Sequence, residues 1–285
     1  MIRFIASDID GTIIGENNLI NEQNLEAIDK VTSNPDITFA VCTGKSYSIF
    51  KNTCKNLKAS FGIFGNGNQI IDLTSGQELY KIVLDLKDIN YCLDIAAKYN
   101  LHVHLYTKNK LVTEELKYMD LRNFNLSKNK FYNNDLSFEI VHNIKEYINS
   151  SNEEVFQVII SSDNDIENIK EEILKNKSLS AILIKKHGIY KDVVINKEYE
   201  YLSITPQGVD KSTALNFLIN YLKINSSDVM TIGDNLNDIN MIKNFGIGVA
   251  VSNGYDEVKN VSKYITKNDV NHGGFAEAIY NFIPF

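Results

Sequence analysis

Asp8-Ile9-Asp10-Gly11-Thr12 sets two carboxylates and a turn directly after a short apolar run, residues 2–7. Crowded or buried carboxylates are unfavourable unless a cation or hydrogen bonds compensate them, so this cluster at a strand end points to a metal site or a nucleophile. Three later segments echo it. Val41-Cys42-Thr43-Gly44 puts a hydroxyl and a glycine turn after an apolar run, and Gly208-Val209-Asp210-Lys211-Ser212 puts a lysine at a helix start. Residues 229–238 end a further apolar run in two acids, Asp234 and Asp238. Each is weak alone, because a Thr-Gly pair is more often an ordinary turn and a lysine at a helix start is more often solvated. A calcium loop is the other reading of Asp8 to Thr12. It fails on register, since Gly11 stands fourth where the loop needs glycine sixth, and a strand precedes it instead of a helix.

These residues need strands that end together. Up to residue 84 the chain alternates strand-like stretches (3–7, 37–42, 60–64) with helix-like ones (22–33, 46–57), which predicts a parallel sheet covered by helices. In such sheets ligands sit at the carboxyl ends of the strands, here Asp8, Thr43 and Gly65. Residues 69–84 read as a hairpin around Thr74-Ser75-Gly76-Gln77. The pattern then changes: helices at 88–99 and 165–175, strands at 101–106, 155–161 and 181–184, and an Asn- and Lys-rich loop at 123–134. Alternation resumes with helices at 211–222, 236–244, 255–261 and 274–282 and strands at 228–232, 246–251 and 264–266. The expected fold is α/β: a Rossmann-like doubly wound parallel-sheet core, residues 1–84 and 206–285, with an inserted α+β domain at 85–205 and two linkers that allow a hinge.

The order of the four segments resembles the haloacid dehalogenase-like phosphatases, with their Asp-x-Asp-Gly-Thr strand end, Thr-Gly, distant Lys and Gly-Asp-x-x-Asn-Asp. Gly65-Asn66-Gly67, residues 202–211 and Gly246-Ile247-Gly248-Val249-Ala250 are similar to the Cof-type subfamily. Lys45 stands where the family often has Arg, and Asn68 where a small residue is usual. The resemblance implies that Asp8 is a nucleophile forming an aspartyl-phosphate and that Asp10 is the general acid and base. Thr43, with Gly44, and Lys211 would hold the phosphoryl oxygens. Asp8, Asp10 through its carbonyl, and Asp234 would bind Mg²⁺, a hard cation that prefers oxygen. Asp238 would orient metal-bound water or Lys211, and Asn237 would touch substrate or phosphate. The insertion would be a class II cap that excludes water and admits small phosphorylated metabolites, sugar phosphates above all. Tyr106, Tyr118, Tyr132 and His187 are unranked candidates for specificity. A phosphomutase or other phosphoryl-transferring relative, and a catalytically silent binding protein on the same scaffold, are the competing readings.

Composition narrows the classes. A net charge of −7 opposes nucleic-acid binding, and no apolar stretch approaches the ~20 residues that span a bilayer. The amino terminus shows no secretory pattern, so a cytoplasmic protein is expected. Cys42, Cys54 and Cys92 lack metal spacing and read as reduced thiols, Cys42 in a packing role. His102 and His104, two apart on a strand, read as a cap-sheet surface instead of a metal pair. The mixed-charge helix face at Glu167, Lys170, Glu171, Glu172 and Lys175 reads as solvated, and the pattern specifies no oligomer.

Overall fold

The structure, a computed structural model, describes residues 1–15, 19–54, 57–108, 110–118, 137–186 and 199–284. Along the chain the first elements are β1 (Phe4–Ser7), α1 (Glu22–Ser33), β2 (Thr38–Cys42), α2 (Tyr47–Thr53), β3 (Phe61–Phe64), β4 (Gln69–Asp72) and β5 (Glu78–Lys81). The middle holds α3 (Leu86–Lys98), β6 (His102–Thr107), β7 (Lys110–Thr113), β8 (Ser137–Ile140), α4 (Ile144–Ser150), β9 (Val155–Ser162), α5 (Glu167–Ile173), β10 (Leu179–Lys186) and β11 (Tyr199–Pro206). The chain returns through α6 (Lys211–Tyr221), β12 (Val229–Gly233), α7 (Ile239–Asn244), β13 (Ile247–Ala250), α8 (Asp256–Val261), β14 (Tyr264–Ile265) and α9 (Gly274–Phe282). Two compact units result: Met1–Gly44, Asn56–Lys81 and Asp210–Phe285 form one, Lys45–Lys55 and Ile82–Val209 the other. Among the described residues no helix is long and apolar enough to cross a membrane.

The first unit is an eight-stranded sheet in the order β14-β13-β12-β1-β2-β3-β4-β5. It is parallel from β14 to β3, with β4 and β5 as an antiparallel edge. Its central strands are apolar on both sides because helices cover both faces. Phe4, Ala6, Ala40, Cys42 and Ile63 pack on Ala214, Leu215 and Leu218 of α6 and Met241 of α7. Residues of alternate parity face the other way, where the rings of Phe39 and Phe275 of α9 lie 6.0 Å apart. This is the doubly wound α/β arrangement. Strand order reverses between β1 and β12, and such a switch point opens a crevice at the carboxyl ends of the two strands. Asp8 and Asp234 follow those ends.

The second unit is a six-stranded sheet, β10-β11-β9-β6-β7-β8, antiparallel except for the β7–β8 pair. One face is aliphatic: Leu105, Val158, Ile160, Leu202 and Ile204 pack under α3, α4 and α5 through Ile89, Leu93, Ile148, Ile169 and Ile173. The other face carries Tyr106, Leu111, Ile159, Tyr199 and Tyr201, together with Ile49 of α2. That contact groups α2 with this unit. It also changes the reading of the histidine pair. His104 is no surface residue; it is 0% exposed, edge-on to Tyr106 with ring centres 4.9 Å apart, because the tyrosine cluster covers this side of the sheet. His102 is half-buried. Sequence pattern alone does not mark β7, β8, β11 or α4, and the loop expected at 123–134 lies outside the described residues.

Candidate active site

The site is assembled by strand ends. β1 and β12 pair in parallel with Ser7 opposite Ile232, and the Asp8 N–H donates to the Ile232 carbonyl at 2.9 Å. The chain then turns sharply at Gly11, whose φ of 87° suits glycine. A Cβ at Gly11 would also run into the Asp234 carboxylate, so the turn and the acid are fitted to each other. The Thr12 hydroxyl donates to Asp234 Oδ1 at 2.7 Å.

Lys211 is the first residue of α6 and 1% exposed. An ammonium there opposes the helix dipole and has left water, so it needs carboxylates. Its Nζ donates to Asp8 Oδ1 at 2.6 Å and to Asp238 Oδ1 at 2.7 Å. Asp238 is committed through its other oxygen too, since Oδ2 accepts the N–H groups of Asp234 at 3.1 Å and Asn235 at 3.0 Å. Asp238 thus fixes both Lys211 and the loop that presents Asp234.

Burial dominates the Asp8 carboxyl and pushes it from 3.8 to about 6; Lys211 opposes that rise, while Asp238 and Asp10 add to it. Burial likewise disfavours the Lys211 ammonium, but Asp238 and Asp8 outweigh it and hold the group charged, far above its ordinary value. Burial pushes the Cys42 thiol well up and the Cys92 thiol to about 12. Cys42 packs in the core of the first unit, and none of the three cysteines is in a disulfide.

Asp8, Asp234 and Asp238, all buried, each bring a carboxylate oxygen within 4.8 Å of the others. With Asp10 they outnumber the charge of Lys211, and an all-oxygen set of this kind suits a hard divalent cation. Thr43 is buried beyond β2, its N–H bound to the Ile63 carbonyl at 2.8 Å and its own carbonyl accepting from the Asn66 N–H at 3.1 Å. Gly44 faces the Asn66 side chain, and Asn237 Nδ2 donates to Asn66 Oδ1 at 2.8 Å. Asp10 is half-buried. The structure therefore brings Asp8, Lys211, Asp234 and Asp238 into one cluster and joins Gly44 and Asn237 through Asn66. Of the specificity candidates, Tyr106 and Tyr118 lie in the tyrosine cluster of the second unit, and Tyr132 and His187 fall outside the described residues. Sequence reasoning passed over Thr12 and Asn66 as working residues, although both stand inside segments it singled out.

A family model of haloacid dehalogenase-like hydrolases matches residues 5–279. The 5-amino-6-(5-phospho-D-ribitylamino)uracil phosphatase YcsE of Bacillus subtilis is 27% identical over 284 residues, covering 99% of this chain and 96% of that protein. YwtE of the same organism, named for the same activity, is 25% identical over 288 residues, covering 95% of each. Among solved structures, a haloacid dehalogenase-like hydrolase from B. subtilis shares the fold with a TM-score of 0.81 at 18% identity, over 99% of this chain and 100% of that one. A phosphatase of the superfamily from Bacteroides thetaiotaomicron gives a TM-score of 0.77 at 22% identity, over 99% and 95%. Two sequence relatives aligned nearly end to end and one family model reaching into all three segments of the first unit lead to the same place: the chain belongs to the haloacid dehalogenase-like hydrolases, among their phosphatases.

Proposed function

We propose that the chain is a Mg²⁺-dependent phosphomonoesterase that hydrolyses small phosphorylated metabolites, sugar and alditol phosphates first, through a phosphorylated Asp8. The observation that supports this most is the buried bridge from Asp8 through Lys211 to Asp238 beside Asp234. It supplies a carboxylate held for attack and a cation next to it, which are the parts that phosphoryl transfer requires. The residues present fit a hard divalent cation. With Asp238 occupied on both oxygens, Asp8, Asp234 and the Asp10 carbonyl are the proposed ligands. Bound there, Mg²⁺ would offset the charge of the phosphoryl oxygens.

In the first step an Asp8 oxygen bonds to phosphorus as the ester P–O bond breaks, and Asp10 gives its proton to the departing alcohol. Thr43, the Gly44 backbone and Lys211 hold the phosphoryl oxygens. In the second step water attacks the same phosphorus, Asp10 takes a proton from it, and phosphate leaves with Asp8 restored. The substrate class draws support from YcsE and YwtE, whose named substrate is a phosphate ester of a ribityl chain.

Phosphate release from a panel of sugar, alditol, nucleotide and cofactor monophosphates tests the reading, with Mg²⁺, with a chelator, and with the Asp8→Asn variant. Metal-dependent release that the variant loses while still folded is the expected outcome. Turnover retained by Asp8→Asn would remove the nucleophile assignment, and consumption of the ester only when an acceptor alcohol is added, with a new phosphate ester formed in place of free phosphate, would make the protein a transferase.

A further inference from the structure

Asp234 is held at both ends. Its carboxylate takes the Thr12 hydroxyl, and its carbonyl accepts the Tyr255 N–H at 2.9 Å. Tyr255 closes the loop 251–255, which follows β13 and grips the end of β12. There the Val251 N–H donates to the Gly233 carbonyl at 3.1 Å, and a Cβ on Gly254 would come within 3.0 Å of the Asp234 backbone. Thr12 belongs to a different segment, the turn at 10–14 that presents the Asp10 carbonyl. That turn bonds internally: the Gly11 N–H reaches the Ile14 carbonyl at 2.8 Å, and the Ile13 and Ile14 N–H groups reach the Ile9 carbonyl at 2.9 and 2.8 Å.

One side chain joins the loop to the turn. Asn253 Nδ2 donates to the Gly11 carbonyl at 2.8 Å, and its Oδ1 accepts the Val270 N–H at 2.8 Å. A carbonyl only accepts and an N–H only donates, so these partners admit one orientation of the amide. Val270 is held in turn. Asn24 Nδ2 donates to its carbonyl at 3.2 Å and to that of Ile13 at 3.3 Å, while Asn24 Oδ1 accepts the Ala276 N–H of α9 at 3.0 Å. Two asparagines from distant parts of the chain thus fasten the Asp10 turn to the same residue.

The contacts close a ring. It runs from the Asp234 carboxylate to Thr12, through the Gly11 carbonyl to Asn253, and by Gly254 and Tyr255 back to the Asp234 carbonyl. While it is closed, neither the turn nor the acid shifts without the other. Opened at Asn253, the turn keeps its own bonds but is freer to rock against Asp234. Spacing of this kind matters more to one cation than to another, because Mg²⁺ demands near-octahedral oxygens at about 2.0–2.1 Å, whereas Ca²⁺ accepts irregular sets at about 2.3–2.6 Å.

We propose that Asn253 is a positioning residue that keeps Asp234 and the Asp10 turn at a fixed spacing, and so raises the affinity of the acid cluster for Mg²⁺ relative to Ca²⁺. That a cation binds there rests on the phosphatase reading; the ring of contacts does not.

Calorimetric titration of the metal-free protein with Mg²⁺ and with Ca²⁺ reads both affinities without substrate or turnover. Asp234→Asn should lose both ions, which locates them. Asn253→Ala should lower the ratio of Mg²⁺ to Ca²⁺ affinity about fivefold, the equivalent of one hydrogen bond, by weakening Mg²⁺. Asn253 is exposed, so its variants are expected to stay folded. Asn253→Asp separates the two contacts of the amide: it keeps an acceptor for Val270, offers the Gly11 carbonyl no donor, and adds a charge that acts on both dications alike. Its ratio should fall as far as that of Asn253→Ala. In a Thr12→Val background, where the ring is already open, Asn253→Ala should change the ratio no further. Equal losses of both ions in Asn253→Ala, an unchanged ratio, a native ratio in Asn253→Asp, or a further fall on top of Thr12→Val would overturn the proposal. A shifted ratio in a protein that releases no phosphate would preserve it and sink the phosphatase reading. Mg²⁺ that the native protein does not bind, or that Asp234→Asn still binds, would sink the proposed cation ligands and the proposal with them.

Discussion

Asp8 carries a measurable cost of its position. Its carboxyl is raised from 3.8 to about 6 chiefly by burial, so between those values the folded protein keeps a proton that the unfolded chain has lost. Stability from this group is therefore full below about pH 4 and declines as pH rises through about 6, by on the order of 3 kcal/mol. Lys211, raised by its carboxylate neighbours, stays charged throughout that window. Asp72, Glu139, Glu172 and Glu277 are lowered and act with the opposite sign, so the difference between two proteins is the clean quantity. With chelator present, the Tm of Asp8→Asn should gain on that of the native protein from pH 4 to pH 6.5. Parallel curves would show that Asp8 is not held in this state. The acids and Lys211 were legible in sequence because each follows an apolar run or opens a helix. Thr12 and Asn66 were not, because threonine and asparagine are ordinary turn residues, and only the fold brings one to Asp234 and the other to Asn237.

At the scale of elements, the start of α6 decides where Lys211 points. Asp210 caps it: its carboxylate accepts from the Thr213 N–H at 2.7 Å, the Thr213 hydroxyl accepts from the Asp210 N–H at 3.0 Å, and Asn240 Nδ2 donates to Asp210 Oδ2 at 2.7 Å. Removing such a cap costs about 1 kcal/mol, or about 2–4 °C in a domain of this size. Asp210→Ala should lower Tm by that amount and lower kcat as well, since the first turn carries Lys211, while Asp210→Asn should restore most of both. An unchanged kcat in Asp210→Ala would mean that Asp8 and Asp238 alone hold the lysine. Strong periodicity made such helices readable: the sequence pattern marks 211–222 for Lys211–Tyr221 and 274–282 for Gly274–Phe282. It could not mark β7 and β8, which have four residues each and gain their apolar neighbours only by pairing across the sheet.

Across the whole molecule, two sheets with separate cores share one chain. Ile49 is the informative residue, because it lies in sequence between elements of the first unit but packs with Tyr106, Tyr199 and Tyr201 of the second. Truncating a buried isoleucine costs about 2–5 kcal/mol. Calorimetry is expected to resolve two transitions, with Ile49→Ala lowering one and sparing the other; a uniform shift of a single transition would show that the cores melt together. The parallel sheet and its interruption were legible because alternation stops and restarts; the switch point between β1 and β12 and the allegiance of α2 were not, because both depend on pairing with residues encoded later in the chain. The interruption also bears on how the protein is born. Asp8 and Lys211 are 203 residues apart. During synthesis every strand of the inserted unit is made before Lys211, and β1 still lacks β12 as a neighbour when the last of them, β11, has been made. The second unit can thus be complete while the first is an open sheet, and the acids of Asp8 and Asp10 remain in water until their lysine arrives.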